Sequence, residues 1–205
     1  MAEAYEFTTD WFSRFEGVWR QILKKYPPSR MLEIGSWEGR SACFLIEACA
    51  SQRPIELHCV DTWAGGVEHD ASAMGEVERR FDANLAAASA AAAHPVDFRK
   101  HKAPSHEALI ELLAQGRART FDLVYVDGSH QAPDVLADAV LGFRLLKVGG
   151  VLIFDDYLWS HEAAGQQQAH NMPKPAIDAF VNIYQRKLQV IGAPLYQLYT
   201  RKIAA

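Results

Sequence analysis

Short apolar runs alternate with longer helix-patterned stretches along most of the chain, and this alternation limits the fold more than any other feature. MLEIG (31–35), IELHCVD (55–61), VDFRK (96–100), FDLVYVD (121–127) and VLIFD (151–155) are short and rich in branched or aromatic residues, as buried strands are. Helix patterns fill 39–50, 74–93, 105–116 and 133–150, the second carrying an alanine tract that favours helix without implying chemistry. A leading amphipathic helix over 7–26 is stopped by Pro27 and Pro28. Gly116 and the Gly149–Gly150 pair read as helix stops, and Pro133 as a first-turn residue. A last helix over 174–187 precedes LQVIG and APLYQLYT, two strands joined by a short turn. Strands separated by helices predict an α/β fold, a doubly wound and mostly parallel sheet.

In such sheets ligands bind outside the carboxyl ends of the strands, near the point where strand order reverses. The strands end at Glu33–Gly35, Asp61, Lys100, Asp127 and Asp155–Asp156, so carboxylates gather at that rim. Asp155 and Asp156 follow an apolar strand directly. Neighbours on a strand point to opposite faces, and like charges raise each other's pKa unless something positive lies close. Asp127 ends the strand expected to lie beside theirs. Three such carboxylates with no cysteine suit a hard divalent cation, Mg²⁺ first, with Mn²⁺ or Ca²⁺ open. Asp127 has a plainer alternative, an Asx turn with Gly128 and Ser129, and Asp156 can equally be solvated.

At the first strand end, Gly35 and Gly39 let backbone approach a ligand, and the following helix offers free N–H groups. The stretch is not a full dinucleotide fingerprint, because Glu33 and Ser36 stand where that pattern differs. Asp61 ends the second strand, where a carboxylate takes the hydroxyls of a ribose.

A net charge of −4 and a pI near 6.1 disfavour coating nucleic acid or an anionic membrane. No apolar run nears the roughly 20 residues needed to span a bilayer. The start of the chain lacks the basic and apolar regions of a secretion signal. Cys43, Cys49 and Cys59 are odd in number and fall in elements expected to be buried, which suits core thiols in a reducing, cytoplasmic compartment.

The opening MLEIG turn with Gly39, the acidic end of strand two, and FDLVYVDGSH followed by LLKVGGVLIFDDY resemble class I S-adenosylmethionine-dependent methyltransferases. The nearest likeness is to a small bacterial subgroup carrying DGSH and DDY, and through it to metal-dependent O-methyltransferases of the catechol type. The resemblance spans about residues 28–200. It implies a Rossmann-like seven-stranded sheet with an antiparallel last strand. It also implies one methyltransferase domain over 1–205: a leading helix (1–27), a cofactor-binding core (28–156), and a substrate loop, helix and terminal hairpin (157–205).

Carried over residue by residue, the resemblance puts Glu33 and Gly35 beside the methionine part of S-adenosylmethionine, with Ser36 also binding the cofactor and Gly39, a cofactor-binding candidate too, opening the next helix. Asp61 would hold the ribose and Trp63 flank the adenine. Ala103, Ser105 and His106 would border the adenine, with Asp127 also near the cofactor. His106 is equally a first-turn helix residue. Asp127, Asp155 and Asp156 would supply the metal. His130 stands where catechol-type relatives have a catalytic lysine, and histidine titrates near neutrality. It is a candidate general base, with a substrate ligand or a turn residue as alternatives.

The expected reaction is metal-assisted O-methylation of a small hydroxylated molecule. The alternatives are a metal-independent methyltransferase, for example on nitrogen, and a non-catalytic cofactor-binding interaction protein. Loop 63–72, with His69 and Asp70, is either a lid or a polar connection. Loop 157–175 is long, and Trp159, His161 and His170 are candidates to touch the acceptor. Trp11, Phe12, Phe15 and Trp19 are expected to pack on the sheet or on a partner subunit, which makes a homodimer an expectation.

Overall fold

The structure, a computed structural model, describes residues 5–66 and 74–205. His69 and Asp70, with the rest of 67–73, lie outside the described residues. The described helices and strands are α1 (Glu16–Lys25), β1 (Arg30–Ile34), α2 (Arg40–Ala50), β2 (Ile55–Asp61), α3 (Met74–Ala91), β3 (Val96–Lys102), α4 (Ser105–Ala114), β4 (Phe121–Val126), α5 (Ala132–Leu145), β5 (Leu146–Phe154), α6 (Pro173–Tyr184), β6 (Leu188–Ile191) and β7 (Leu198–Lys202). The seven strands form a sheet in the order β3-β2-β1-β4-β5-β7-β6. The expected doubly wound α/β sheet is therefore present, with its antiparallel last strand. The chain falls into two compact units, residues 1–103 and 104–205.

In the first unit, β1 pairs with β2 and β2 with β3, both parallel. Four of the five β1 residues are buried, as a strand covered on both faces requires. The register sets Glu33 opposite Cys59 and Asp61 opposite Lys102. The leading helix is shorter than the 7–26 pattern predicts. It begins with a 3-10 turn at Ser13–Phe15, and the Asp10 carboxylate just before it accepts the Ser13 N–H at 2.9 Å. Phe12, Phe15 and Trp19 are buried within their own chain. Phe12 meets Trp19 at 5.0 Å and Phe44 of α2 at 5.1 Å between ring centroids. Trp11 remains half exposed. Gly39 opens α2 at φ +81°, and a Cβ there would lie 2.4 Å from Leu85 Cδ2 of α3, so only glycine lets the two helices approach.

In the second unit, β4 and β5 are parallel neighbours as expected, while β7 runs antiparallel to both β5 and β6. The helix predicted over 133–150 ends at Leu145, and Leu146–Gly150 belong to β5. The glycine pair marks a bulge, not a helix stop. The β4–β5 register shifts there, Gly149 sits at φ +91°, and a Cβ on Gly150 would be 2.8 Å from the Asp122 carbonyl. The buried Lys202 ammonium takes over the end of α5, donating to the carbonyls of Phe143 and Leu146 at 2.7 and 2.8 Å. Its pKa falls to about 8 through burial. α6 lays Phe180 against Phe143 and Phe154. Among the described residues no helix is long and apolar enough to cross a membrane.

Candidate active site

The first unit gathers one group of candidates at the carboxyl ends of β1 and β2. Glu33 is fully buried. Its oxygens accept the hydroxyls of Ser36 and Ser41, each at 2.6 Å, and the Cys59 thiol at 3.5 Å. Burial pushes its carboxyl up to about 6, against the pull of those hydroxyl bonds. Within 35–39 the chain takes positive φ three times, at Gly35 (+84°), Trp37 (+49°) and Gly39 (+81°). Asp61 holds that turn. Its Oδ2 accepts the N–H groups of Ser36 (2.9 Å) and Trp37 (3.1 Å), and its Oδ1 accepts Trp63 N–H (2.7 Å). Ala103 N–H reaches the Asp61 carbonyl at 3.1 Å, so Ala103 joins the same strand end.

Trp63 is buried. Its ring lies 4.6 Å from Phe81 with the Lys100 ammonium 4.5 Å from it, and its indole N–H bonds the Trp37 carbonyl at 3.0 Å. In the second unit, Ser105 opens α4 and hydrogen-bonds Asp138 of α5. His106 is exposed, 4.0 Å from Glu107, in keeping with its reading as a first-turn surface residue.

The second unit places Asp127 just past β4, and Asp155 and Asp156 just past β5. One carboxylate oxygen from each comes within 4.8 Å of the others. Parallel pairing of β4 and β5, ending at Val126 opposite Phe154, causes that convergence. Asp156 takes a left-handed backbone, φ +51°, which turns the chain out of the strand.

Below the carboxylates runs a buried hydrogen-bond network. The Tyr125 hydroxyl bridges Asp127 Oδ2, at 2.9 Å, and Asp155 Oδ2. Gln197 donates to Asp155 Oδ2 at 2.9 Å and to the Tyr125 oxygen at 3.3 Å, and itself accepts the Tyr199 hydroxyl. Asp155 Oδ1 accepts Asp156 N–H at 2.7 Å. Burial, and then the charge of Asp156, raise the Asp155 carboxyl to about 6. Burial between two carboxylates pushes the Tyr125 phenol far above its ordinary value, so it stays a donor.

His130 is the imidazole partner of the cluster. Its Nε2 lies 2.8 Å from Asp156 Oδ2, and its ring stacks on Trp159 at 4.0 Å. His161 stacks more distantly on Trp159, at 6.2 Å, and His170 is exposed in a 3-10 turn. A small, solvent-open pocket lies above the three aspartates and His130, walled by Val135, Phe154 and Pro173. Three carboxylate oxygens and a neighbouring imidazole can hold a hard cation and accept a proton from something in that pocket.

Tyr125, Gln197 and Tyr199 escaped the sequence reading. The period of two along a strand does place Tyr125 on the same face as Asp127, and that signal was available. Gln197 reaches Asp155 only through the β5–β7 pairing, which no local pattern encodes.

Residues 32–157 match the family model described as a methyltransferase domain. The chain belongs to that methyltransferase family. Its fold is the class I S-adenosylmethionine-dependent one that the sequence resemblance implied. Among solved structures, the O-methyltransferase TomG from Streptomyces achromogenes, in complex with SAM, is similar with a TM-score of 0.67 and 16% identity, over 94% of this chain and 81% of that one. The O-methyltransferase from Bacillus cereus, in complex with SAH, gives 0.62 and 16% over 96% and 84%. MycE from the mycinamycin biosynthetic pathway, in complex with Mg, SAH and mycinamycin VI, gives 0.62 and 17% over 96% of this chain and 51% of its own. No curated protein matches the chain.

Proposed function

We propose that this methyltransferase uses S-adenosylmethionine to methylate an oxygen of a small hydroxylated acceptor, assisted by a divalent cation, Mg²⁺ first, on Asp127, Asp155 and Asp156. The observation that carries the proposal is the convergence of three carboxylates beside an imidazole, in one pocket of a methyltransferase fold. The donor set fits the ion: three hard oxygens, one of them on a carboxyl raised by burial and then by the charge of Asp156. TomG and the Bacillus cereus enzyme bind SAM or SAH, and MycE binds Mg, which supports the same pairing here.

The cofactor supplies an activated methyl group, and the cation supplies a Lewis acid that lowers the pKa of an acceptor hydroxyl. The chain's own residues do the rest. Glu33, Gly35, Ser36 and Gly39 shape the turn that faces the cofactor. A carboxylate has roughly four acceptor sites; the Ser36 and Trp37 N–H groups occupy Asp61 Oδ2 and Trp63 N–H takes one site on Oδ1, so Oδ1 keeps room for one ribose hydroxyl.

His130 removes the acceptor's proton. Its ring nitrogen Nε2 lies in hydrogen-bond contact with Asp156, whose carboxylate stabilises the imidazolium that forms as the hydroxyl proton is taken up. Val135, Phe154 and Pro173 give the acceptor an apolar wall. The three buried, free cysteines support a reducing, cytoplasmic setting.

A second reading has its own observation. Tyr125 and Gln197 already donate to Asp155, so the cluster is supplied with hydrogen bonds without an ion. A metal-independent transfer, including one to nitrogen, would use that state.

Release of S-adenosylhomocysteine, measured over a panel of phenols, catechols and amines with Mg²⁺ or with EDTA, separates the two readings. The proposal predicts turnover on hydroxylated acceptors that EDTA abolishes, and a fall in kcat of about 100-fold in His130→Gln. Turnover indifferent to EDTA, or confined to amines, would contradict it.

A further inference from the structure

Residues 5–12 precede the first helical turn and are fastened to the start of α2 and to α3 by unusually many bonds for an N-terminal segment. The anchor is Glu38, inside the turn between β1 and α2. Its side chain is 1% exposed, which is rare for a carboxylate and demands partners. Two of them come from one residue of the strap. Thr8 N–H donates to Oε2 and the Thr8 hydroxyl to Oε1, each at 2.6 Å. Arg80 of α3 completes the set, its Nε 2.6 Å from Oε1. Asn84, also buried, grips both ends of the arrangement: its amide donates to the carbonyls of Glu38 (2.9 Å) and Glu6 (3.1 Å) and accepts Glu6 N–H (2.7 Å).

This fastening meets the turn where its backbone is most strained. Trp37, next to Glu38, has a side chain yet holds φ +49°, a strained conformation that persists only where surroundings enforce it. Trp11 of the strap packs on the Trp37 ring at 5.5 Å between centroids. The strap therefore contacts both the strained residue and the buried carboxylate beside it.

We infer that the 5–12 strap is a positioning device for the cofactor turn, with Thr8 and Glu38 as positioning residues that act through the Ser36–Gly39 backbone. The inference rests on the proposed S-adenosylmethionine site. Ordered, the strap holds the turn in its binding shape. Released, it lets Trp37 relax toward an unstrained backbone and withdraws the Ser36 and Trp37 N–H groups from Asp61. Cofactor binding and strap ordering are then linked, each favouring the other.

The test is calorimetric titration of S-adenosylhomocysteine into wild type, Thr8→Val, Thr8→Ser and Glu38→Gln, with hydrogen exchange of the 34–39 amides and a thermal midpoint for each apo protein. Thr8→Val keeps the N–H and loses one hydroxyl bond, so it is the mild variant. The expected result is a Kd raised about ten- to a hundredfold in Thr8→Val, the scale of one bond to a charged group, with restoration in Thr8→Ser. The 34–39 amides should exchange faster while those of α2 do not. Wild-type affinity and unchanged 34–39 exchange in both Thr8→Val and Glu38→Gln would overturn the strap's role and leave the proposed cofactor site standing. A loss of affinity that only follows a lowered thermal midpoint, with exchange raised equally in α2, would overturn it as well. No binding by wild type would remove the cofactor reading and the inference with it.

Discussion

Tyr125 has one hydroxyl proton and two carboxylates within reach of it. It can donate fully to only one of Asp127 and Asp155 at a time, and Gln197 supplies the second donor that Asp155 needs. A buried donor of this kind is worth more than an exposed one, because removing it leaves charged acceptors short of partners. Tyr125→Phe is therefore expected to lower the stability of the metal-free protein by about 1–3 kcal/mol, read by urea denaturation in EDTA. An unchanged midpoint would mean that the hydroxyl contributes nothing to holding the pair.

The same residue shows where reading a sequence succeeds and where it stops. Asp127, Asp155 and Asp156 could be singled out because strand ends bind ligands in this architecture and because two adjacent carboxylates after an apolar strand ask for a cation. Their convergence followed from one pairing, β4 with β5. The network beneath them needs a second, β5 with β7, between segments far apart in sequence, and Gln197 looked like any polar residue in a terminal strand.

At the level of elements, packing between helices decides several features that propensity left open. α5 carries Asp138 at 1% exposure, with Ser105 at the start of α4 hydrogen-bonded to it. Burial raises its carboxyl from an ordinary 3.8 to about 6. The folded protein therefore holds that proton more tightly than the unfolded chain does. The stabilisation is fully present below about pH 4 and is lost as pH rises through about 6. Asp138→Asn should flatten that part of the stability curve and raise stability at pH 7 by roughly 1–3 kcal/mol. Thermal melts at pH 4, 6 and 7.5 check this, and parallel curves for the two proteins would contradict it.

Element existence was legible from the alternation of apolar runs and helix patterns, whereas boundaries were not. The stretch before the leading helix carries the Asp10 bond and the strap's bonds, which are contacts to side chains rather than local preferences. Leu146–Gly150 read as a helix end because glycine pairs commonly stop helices, yet the close approach to the Asp122 carbonyl makes them a bulge.

Taken as a whole molecule, the chain keeps its two chemical tasks in separate stretches of sequence. The first unit carries the turn that Asp61 and the strap hold. The second carries the carboxylates, His130 and the pocket above them. Asp127 is the one candidate assigned to both methyl donor and cation, and Asp155 serves the cation alone, so loss of Asp155 is expected to leave binding of the methyl donor in place.

The measurement that bears most directly on this account is calorimetric titration of S-adenosylhomocysteine and, separately, of Mg²⁺ into wild type and Asp155→Ala. The account predicts that both bind wild type, and that Asp155→Ala loses the Mg²⁺ heat while keeping S-adenosylhomocysteine affinity within about threefold, less than the tenfold that corresponds to 1.4 kcal/mol. Wild type that binds S-adenosylhomocysteine but gives no Mg²⁺ heat, or an Asp155→Ala protein that binds Mg²⁺ unchanged, would contradict it.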